Sequence, residues 1–329
     1  MDNTPFFNTP DKGENTCGYC EKTAGSDLFR VVDVNGNKWN WSQCPSCGAC
    51  SITPRPTPAQ LSVAYDTSYY GASTTKYRWG FAKLSEYLHG RHARRLSRGI
   101  PAGANVLDLG CGNGDFLAAL GKNGDFNLYG VELPGGSADR AATRKNINLT
   151  VGTIVEAGYP PGYFDMVTMF QVFEHLAEPR KTLKIVHSVL KAKGRLVLAV
   201  PNISSAQAKL FGPNWFHLDP PRHLFLMPGD SFAKAMNELG FSIESRRYFF
   251  PKMNCYGFIQ STLNCLFAQR DILHERLKRN KTYAPAHGTA SFILQLAAAA
   301  ALFPVALLLD IVESVFKRGA TVEYVLRKQ

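Results

Sequence analysis

Four thiols near the start of the chain carry the first recognisable chemistry. Cys17 and Cys20 form one Cys-x-x-Cys knuckle, Cys44 and Cys47 a second, with 23 residues between Cys20 and Cys44. Each knuckle puts two thiolates on one tight turn, and two knuckles supply the four tetrahedral sulfurs that Zn2+ prefers. The intervening "VVDVNGNKWNWSQC" reads as a hairpin with Asn-Gly at its turn. With every coordination position filled by sulfur, the ion would be structural, fixing a small domain with too little core to fold alone. Cys50 is left over as a fifth thiol.

A second chemistry sits in "NVLDLGCGNGDF", residues 105–116. Glycine tolerates positive φ and has no Cβ, so a ligand can lie against the main chain. At the carboxyl end of a strand, leading into a helix, such a turn cradles a nucleotide or a carboxylate. The glycines fall at Gly110, Gly112 and Gly114, so the third is one residue early for a Gly-x-Gly-x-x-Gly dinucleotide fingerprint. Eighteen residues beyond Gly114, Glu132 closes the next apolar run, where an acid can accept both hydroxyls of a ribose.

A third cluster is made of carboxylates and imidazoles. "QVFEHL" holds Gln171, Glu174 and His175, and "FHLDPPRHLF" holds His217, Asp219 and His223. Ligands of open α/β sheets sit beyond the carboxyl ends of the strands, which is where these segments fall. Three readings are open. His175 or His223 acts as a general base; Glu174, His175 and His223 hold a divalent metal that lowers an acceptor's pKa; or Glu174 and His175 merely cap a helix and bond a neighbouring loop.

These residues need a scaffold, and the sequence outlines one. The chain has 329 residues, 45% apolar, enough for one large or two unequal domains. Strand-like runs at 104–109, 127–132, 149–153, 164–170 and 194–200 alternate with helical patterns at 113–122, 136–145 and 178–191. That alternation predicts a parallel sheet with helices on both faces. A helix at 229–240 follows, then a sixth strand in "FSIESRRYFF" and a seventh in "TVEYVLRK". Residues 58–99 read as largely helical, after the proline-punctuated "ITPRPTPAQ".

"VLDLGCGNGDF", "YGVEL", "FDMVTMFQVFEHLAEP" and "LKAKGRLVLAVPN" together resemble the successive motifs of class I S-adenosylmethionine-dependent methyltransferases. The resemblance covers about residues 100–250 and the last ten. It implies a seven-stranded Rossmann-like α/β sheet whose last strand runs antiparallel. It also implies S-adenosylmethionine contacts at Asp108, Gly110, Cys111, Gly112, Gly114, Glu132, Leu133, Thr153, Ile154 and Gln171. Some members carry Glu-x-x-Glu-His after the fourth strand as metal ligands; here Gln171 replaces the first glutamate. The organisation expected is a zinc ribbon at 1–56, a helical linker at 57–99, the methyltransferase domain at 100–250 with 320–329, and a hydrophobic helical insertion at 251–319.

The ribbon joined to this core is similar to a bacterial subfamily implicated in glycan and lipid-linked substrate modification. The expectation is therefore O-methylation of a saccharide or lipid-linked glycan at the inner membrane face. Tyr69 and Tyr70 could roof the cofactor. A formal charge of +11 favours anionic partners. The enzyme alternative is an RNA methyltransferase gripping phosphates with the ribbon, "RHARRLSR" and "RLKRNK"; a cofactor-binding scaffold is the non-enzymatic one. The amino terminus has neither the basic region nor the apolar region of a secretion signal, which points to a reducing cytoplasm. The uncharged run 291–309 is long enough to suggest a membrane span. Strands of one sheet lie before and after it, however, so interfacial or re-entrant contact with anionic lipid is expected instead, or packing on protein.

Overall fold

The computed structural model describes residues 15–65, 79–278 and 289–329, the side chains of 79–86 aside. Tyr69 and Tyr70 lie outside the described residues. In chain order the elements are β1 (Asp27–Val32), β2 (Lys38–Gln43), β3 (Cys50–Thr53), α1 (Pro58–Ala64), α2 (Trp79–Ser97), β4 (Ala104–Leu109), α3 (Asp115–Gly121), β5 (Phe126–Glu132), α4 (Gly136–Ala142) and β6 (Asn148–Val151). There follow α5 (Ile154–Ala157), β7 (Phe164–Phe170), α6 (Pro179–Val189), β8 (Leu190–Pro201), α7 (Ala206–Phe211), β9 (Phe225–Leu226), α8 (Gly229–Glu238), β10 (Phe241–Arg247), α9 (Pro251–Leu266), α10 (Ile272–Leu277), α11 (Thr289–Val315) and β11 (Thr321–Lys328).

The larger sheet has the order β10-β11-β8-β7-β4-β5-β6. Its central strands are apolar on both faces because helices cover both: Val106, Leu107, Met166, Val167, Leu196 and Leu198 are all fully buried. β11 is antiparallel to both neighbours, β10 and β8. It buries one carboxylate, Glu323, which receives His92 Nε2 at 2.5 Å and Arg95 Nη2 at 2.5 Å from α2. Burial opposes the charge, but His92 and Arg95 outweigh it and hold the carboxyl below its usual range. The pair of bonds clamps α2 onto the sheet.

Two of the boundaries that differ from the sequence expectation have clear local reasons. β8 begins at Leu190, four residues early, because Lys193 takes a positive φ and the register against β7 shifts there. β10 stops at Arg247 because Pro251 opens α9, and proline is favoured at a helix's first position.

The smaller sheet has the order β1-β2-β3-β9. The hairpin turns at Gly36, φ 85°, while Asp33 accepts from the amides of Asn35 and Asn37 and from the Trp39 indole, each at 2.9 Å. Its fourth strand, β9, comes from the segment after β8, pairing Cys50 with Leu226 and Ser51 with Phe225. The cysteine-bearing module thus shares a sheet with the methyltransferase-like part of the chain. Cys50 is buried in β3, where desolvation pushes its thiol up to about 12.

Candidate active site

The glycine turn follows β4. Gly110 and Cys111 both donate to the Val131 carbonyl of β5, at 2.8 and 3.1 Å, which pins the turn to the neighbouring strand. Gly110, Gly112 and Gly114 have φ of 74°, 57° and 71°, a region that side chains rarely adopt. Their Cβ environments differ. A Cβ on Gly110 would strike Val172 Cγ2 at 2.4 Å, and one on Gly114 would meet Ile147 and Arg144. At Gly112 nothing lies within 4 Å, so that position faces open space where a ligand can approach the main chain. Gly114 is the N-cap of α3, and Asp115 places a negative charge in the first turn.

Glu132, nearly buried at the end of β5, accepts the Gly112 amide on Oε2 at 2.6 Å. The acid is therefore tied directly to the glycine turn. Asp108, buried at the end of β4, accepts Thr168 Oγ1 from β7 at 2.6 Å. Desolvation raises the Asp108 carboxyl to about 7; the Thr168 bond works against that rise and the Glu132 charge adds to it. Leu133 is half-buried just beyond Glu132. Thr153 spends its hydroxyl on a capping box with Glu156, and Ile154 is buried behind it. Gln171 has φ 56° and donates its amide to the Ala199 carbonyl, bending the chain sharply away from β7.

That bend delivers Glu174 and His175, on a short 3-10 turn, to His223. One ligand atom from each of the three lies within 4.8 Å of the others. His175 Nδ1 faces the Arg222 carbonyl at 3.0 Å and the Tyr65 hydroxyl at 2.8 Å. His223 Nδ1 faces the His217 carbonyl at 2.8 Å. A carbonyl only accepts, so both Nδ1 atoms carry the proton and both Nε2 atoms keep a lone pair. Burial lowers His175 below its ordinary value and takes His223 to about 3, so both rings stay neutral. Glu174 is 1% exposed, neither carboxylate oxygen has a hydrogen-bond partner, and burial raises it to about 8. A buried carboxyl without a partner is costly. Two neutral imidazoles and a carboxyl that a bound cation would ionise form a donor set suited to a divalent cation.

His217 is not part of this set. It is buried beneath α9, where a Cβ on Gly257 would meet its Nε2 at 2.4 Å, and burial lowers it to about 4. Asp219 pairs with Arg222, Nε to Oδ2 at 2.9 Å. Burial opposes its charge, but Arg222 prevails and holds the carboxyl far below its usual range. Tyr65, Thr168 and Arg222 are partners that sequence reasoning passed over. No local pattern marks them, because each acts across 47 to 110 residues of chain.

The four knuckle cysteines converge. Sγ to Sγ distances are 3.6 Å for Cys17–Cys47 and for Cys20–Cys44, and all four sulfurs lie within 4.8 Å of one another. A tetrahedral zinc with bonds of about 2.3 Å separates its sulfurs by roughly 3.75 Å. The cluster therefore has the right size. Two open clefts, of about 260 and 200 Å3, lie at the opposite, amino edge of the large sheet around Arg195, away from these motifs.

A family model described as "Methyltransferase domain" matches residues 81–246, half of the chain. A ubiquinone biosynthesis O-methyltransferase of Pseudomonas aeruginosa is 32% identical over 110 residues, 31% of this chain and 46% of that protein. A demethylmenaquinone methyltransferase of Bacillus licheniformis is 28% identical over 159 residues, 46% of this chain and 66% of that protein. The chain thus spans about half to two thirds of the length of these curated relatives. The solved structure of the cyclase SpnF aligns with a TM-score of 0.52 at 17% identity, covering 83% of this chain and 97% of that one. At that identity the likeness concerns the fold alone.

Proposed function

We propose, from the premise that the chain belongs to the S-adenosylmethionine-dependent methyltransferases, that it methylates a hydroxyl of a lipophilic, quinone-type acceptor. The observation that carries the donor half is the Glu132–Gly112 bond: an acid held against a side-chain-free turn that opens to the surface. When bound, S-adenosylmethionine supplies an electrophilic methyl on a sulfonium. The turn offers its main chain at Gly112, Glu132 offers acceptor oxygens for ribose hydroxyls, and Asp108 provides negative charge beside them. In-line placement of donor and acceptor is the main contribution the protein makes.

The acceptor half rests on Glu174, His175 and His223. These residues fit a divalent cation, which would lower the pKa of a hydroxyl beside it. Tyr65, Arg222 and the His217 carbonyl hold the two rings in the tautomer that such a ligand set requires. The relatives named above act in quinone biosynthesis by their names, which favours a phenolic acceptor over the saccharide first expected. The basic segments behind the RNA alternative are partly engaged within the fold: Arg95 on Glu323, and Arg276 over the Phe292 ring at 5.2 Å. The four cysteines would hold a structural Zn2+, and the ribbon, linker, catalytic and insertion divisions at 1–56, 57–99, 100–250 with 320–329, and 251–319 remain the working division of the chain.

The test is methyl transfer from labelled S-adenosylmethionine into a lipid extract and onto a simple catechol. Label in the lipid phase and on the catechol supports the reading; label confined to a carbohydrate or RNA fraction overturns the acceptor. Chelation of divalent ions should lower kcat at least about tenfold, with restoration by added Mg2+ or Mn2+. Glu174→Gln should do the same without changing the donor's Kd. Indifference to chelators together with a fully active Glu174→Gln protein would return the cluster to a structural role.

Asp108 gives a pH signature. Its folded pKa, about 7, lies above the ordinary 3.8. Its contribution to stability is therefore present below pH 4 and lost as pH rises through 7. A cationic ligand beside it favours the carboxylate. Binding S-adenosylmethionine at pH 6 should release up to one proton, read as a buffer-dependent heat in calorimetry. Asp108→Asn should abolish that dependence; an unchanged release would assign the proton elsewhere.

A further inference from the structure

α11 is built inside out. Its polar side chains Gln295, Asp310 and Glu313 are buried, while Ile293, Leu294, Phe303, Leu308, Val315 and Phe316 are each 51–72% exposed. Asp310 accepts Asn254 Nδ2 of α9 at 2.6 Å, and Glu313 accepts Gln207 Nε2 of α7 at 3.1 Å, so hydrogen bonds tie the inward face to α9 and α7. At 100° per residue the exposed apolar positions spread over roughly 220° of the helix surface, and at 1.5 Å per residue the helix runs about 40 Å. A helix facing water has the opposite polarity. One partner helix covers an apolar stripe of roughly 100°, too narrow for this face.

The insertion cannot carry the chain across a bilayer and leave it there. β10, separated from β8 by β11, ends at the carboxyl edge of the sheet, and β11 starts at that same edge, with Thr321 opposite Pro201. The two junctions touch: a Cβ on Gly319 would meet the Tyr248 carbonyl at 2.4 Å. Positive charge flanks the helix at both ends. Arg276, half-buried, lies over Phe292 near its start, and Lys317 and Arg318, both exposed, follow its end. Its own acids face inward.

We propose that α11 is a monotopic anchor that lies in the interface of an anionic lipid membrane, apolar face down, with its basic flanks on the headgroups. The polarity inversion calls for a hydrocarbon environment, its width calls for a surface rather than a single partner helix, and the flanking charge selects anionic lipid. Because both junctions lie at the carboxyl edge, the anchor sets the methyl-donor edge of the sheet toward the membrane. This inference does not depend on which atom is methylated.

Flotation of the full-length protein tests it, with vesicles of phosphatidylcholine alone and of equal phosphatidylcholine and phosphatidylglycerol. At least tenfold more protein should float with the anionic vesicles. The double variant Leu294→Glu/Leu308→Glu should lose at least tenfold of that binding, and Lys317→Glu/Arg318→Glu should lose the preference for anionic lipid. Both should keep the wild-type Tm and affinity for S-adenosylmethionine, which separates loss of docking from misfolding. No flotation with either vesicle overturns the proposal. So does a dimer in sedimentation that Leu294→Glu/Leu308→Glu splits while wild type ignores vesicles, since that assigns the face to a second copy.

Discussion

Replacing Glu132 with alanine should weaken S-adenosylmethionine binding at least about a hundredfold while moving Tm by only a few degrees. The carboxylate takes the Gly112 amide at 2.6 Å from a nearly buried position, and its proposed second task is to accept ribose hydroxyls. Each charge-assisted bond of this kind contributes about 1.5–3 kcal/mol. Losing the bonds to two ribose hydroxyls costs about 3 kcal/mol or more, which is at least a hundredfold in Kd, while losing the Gly112 bond acts on Tm. Gly112→Ala separates turn strain from ligand contact. Its φ of 57° makes the change cost about 1–2 kcal/mol of strain, but the new Cβ meets no protein atom. A fall in affinity larger than that strain would mean that a ligand occupies the space. Gly110→Ala, whose Cβ would strike Val172, should instead lower Tm outright. Calorimetry with S-adenosylhomocysteine reads all three, and an unaltered Kd in Glu132→Ala would remove the donor site from this turn.

The parts of this molecule that could be read without coordinates are those governed by short-range rules. β4, β7 and β11 fall within their anticipated limits because each is an apolar run closed by glycine, proline or a polar turn. The glycine turn and Glu132 could be paired because one strand and its crossover helix set the distance between them. The knuckles could be paired because zinc chemistry supplies the long-range rule. What stayed hidden was side-chain pairing across the chain. Nothing near Tyr65 indicates that it meets His175, and nothing near Phe225 shows that a two-residue strand will complete the cysteine-bearing sheet. The apolar run at 291–309 announced hydrophobicity but not direction. Only the burial of Gln295, Asp310 and Glu313 shows that the helix turns its polar face inward. The Glu174 cluster shows the same limit: that its carboxyl oxygens have no hydrogen-bond partner is visible in coordinates, not in a motif.

Stripping the proposed Zn2+ from the cysteine cluster, or substituting Cys44→Ser, should unfold the ribbon and cut methyl transfer at least tenfold, yet leave the donor's Kd within about threefold. Binding at a structural Zn2+ site is worth on the order of 10 kcal/mol in small modules. Among the described residues the ribbon's own core, besides the knuckle cysteines, is small, made of Tyr19, Val31, Trp39, Trp41, Ala49, Cys50 and Ile52, and would not persist without it. The damage has a defined route. β3 pairs with β9, Tyr19 lies edge-on to Phe173 at 6.4 Å, and the Glu174 carbonyl takes the Leu224 amide at 2.9 Å. Losing β3 therefore loosens the chain on both sides of Glu174 and His223. The glycine turn is held by β5 instead, through Val131 and Glu132, and shares none of these contacts. One equivalent of zinc should appear in a dye assay on release, with a red shift of Trp39 and Trp41 fluorescence at a lower temperature than the unfolding of the large sheet. Loss of donor binding in step with the zinc would show that the two regions fold as one unit. Full activity after the metal has gone would show that the ribbon does not support the Glu174 cluster at all.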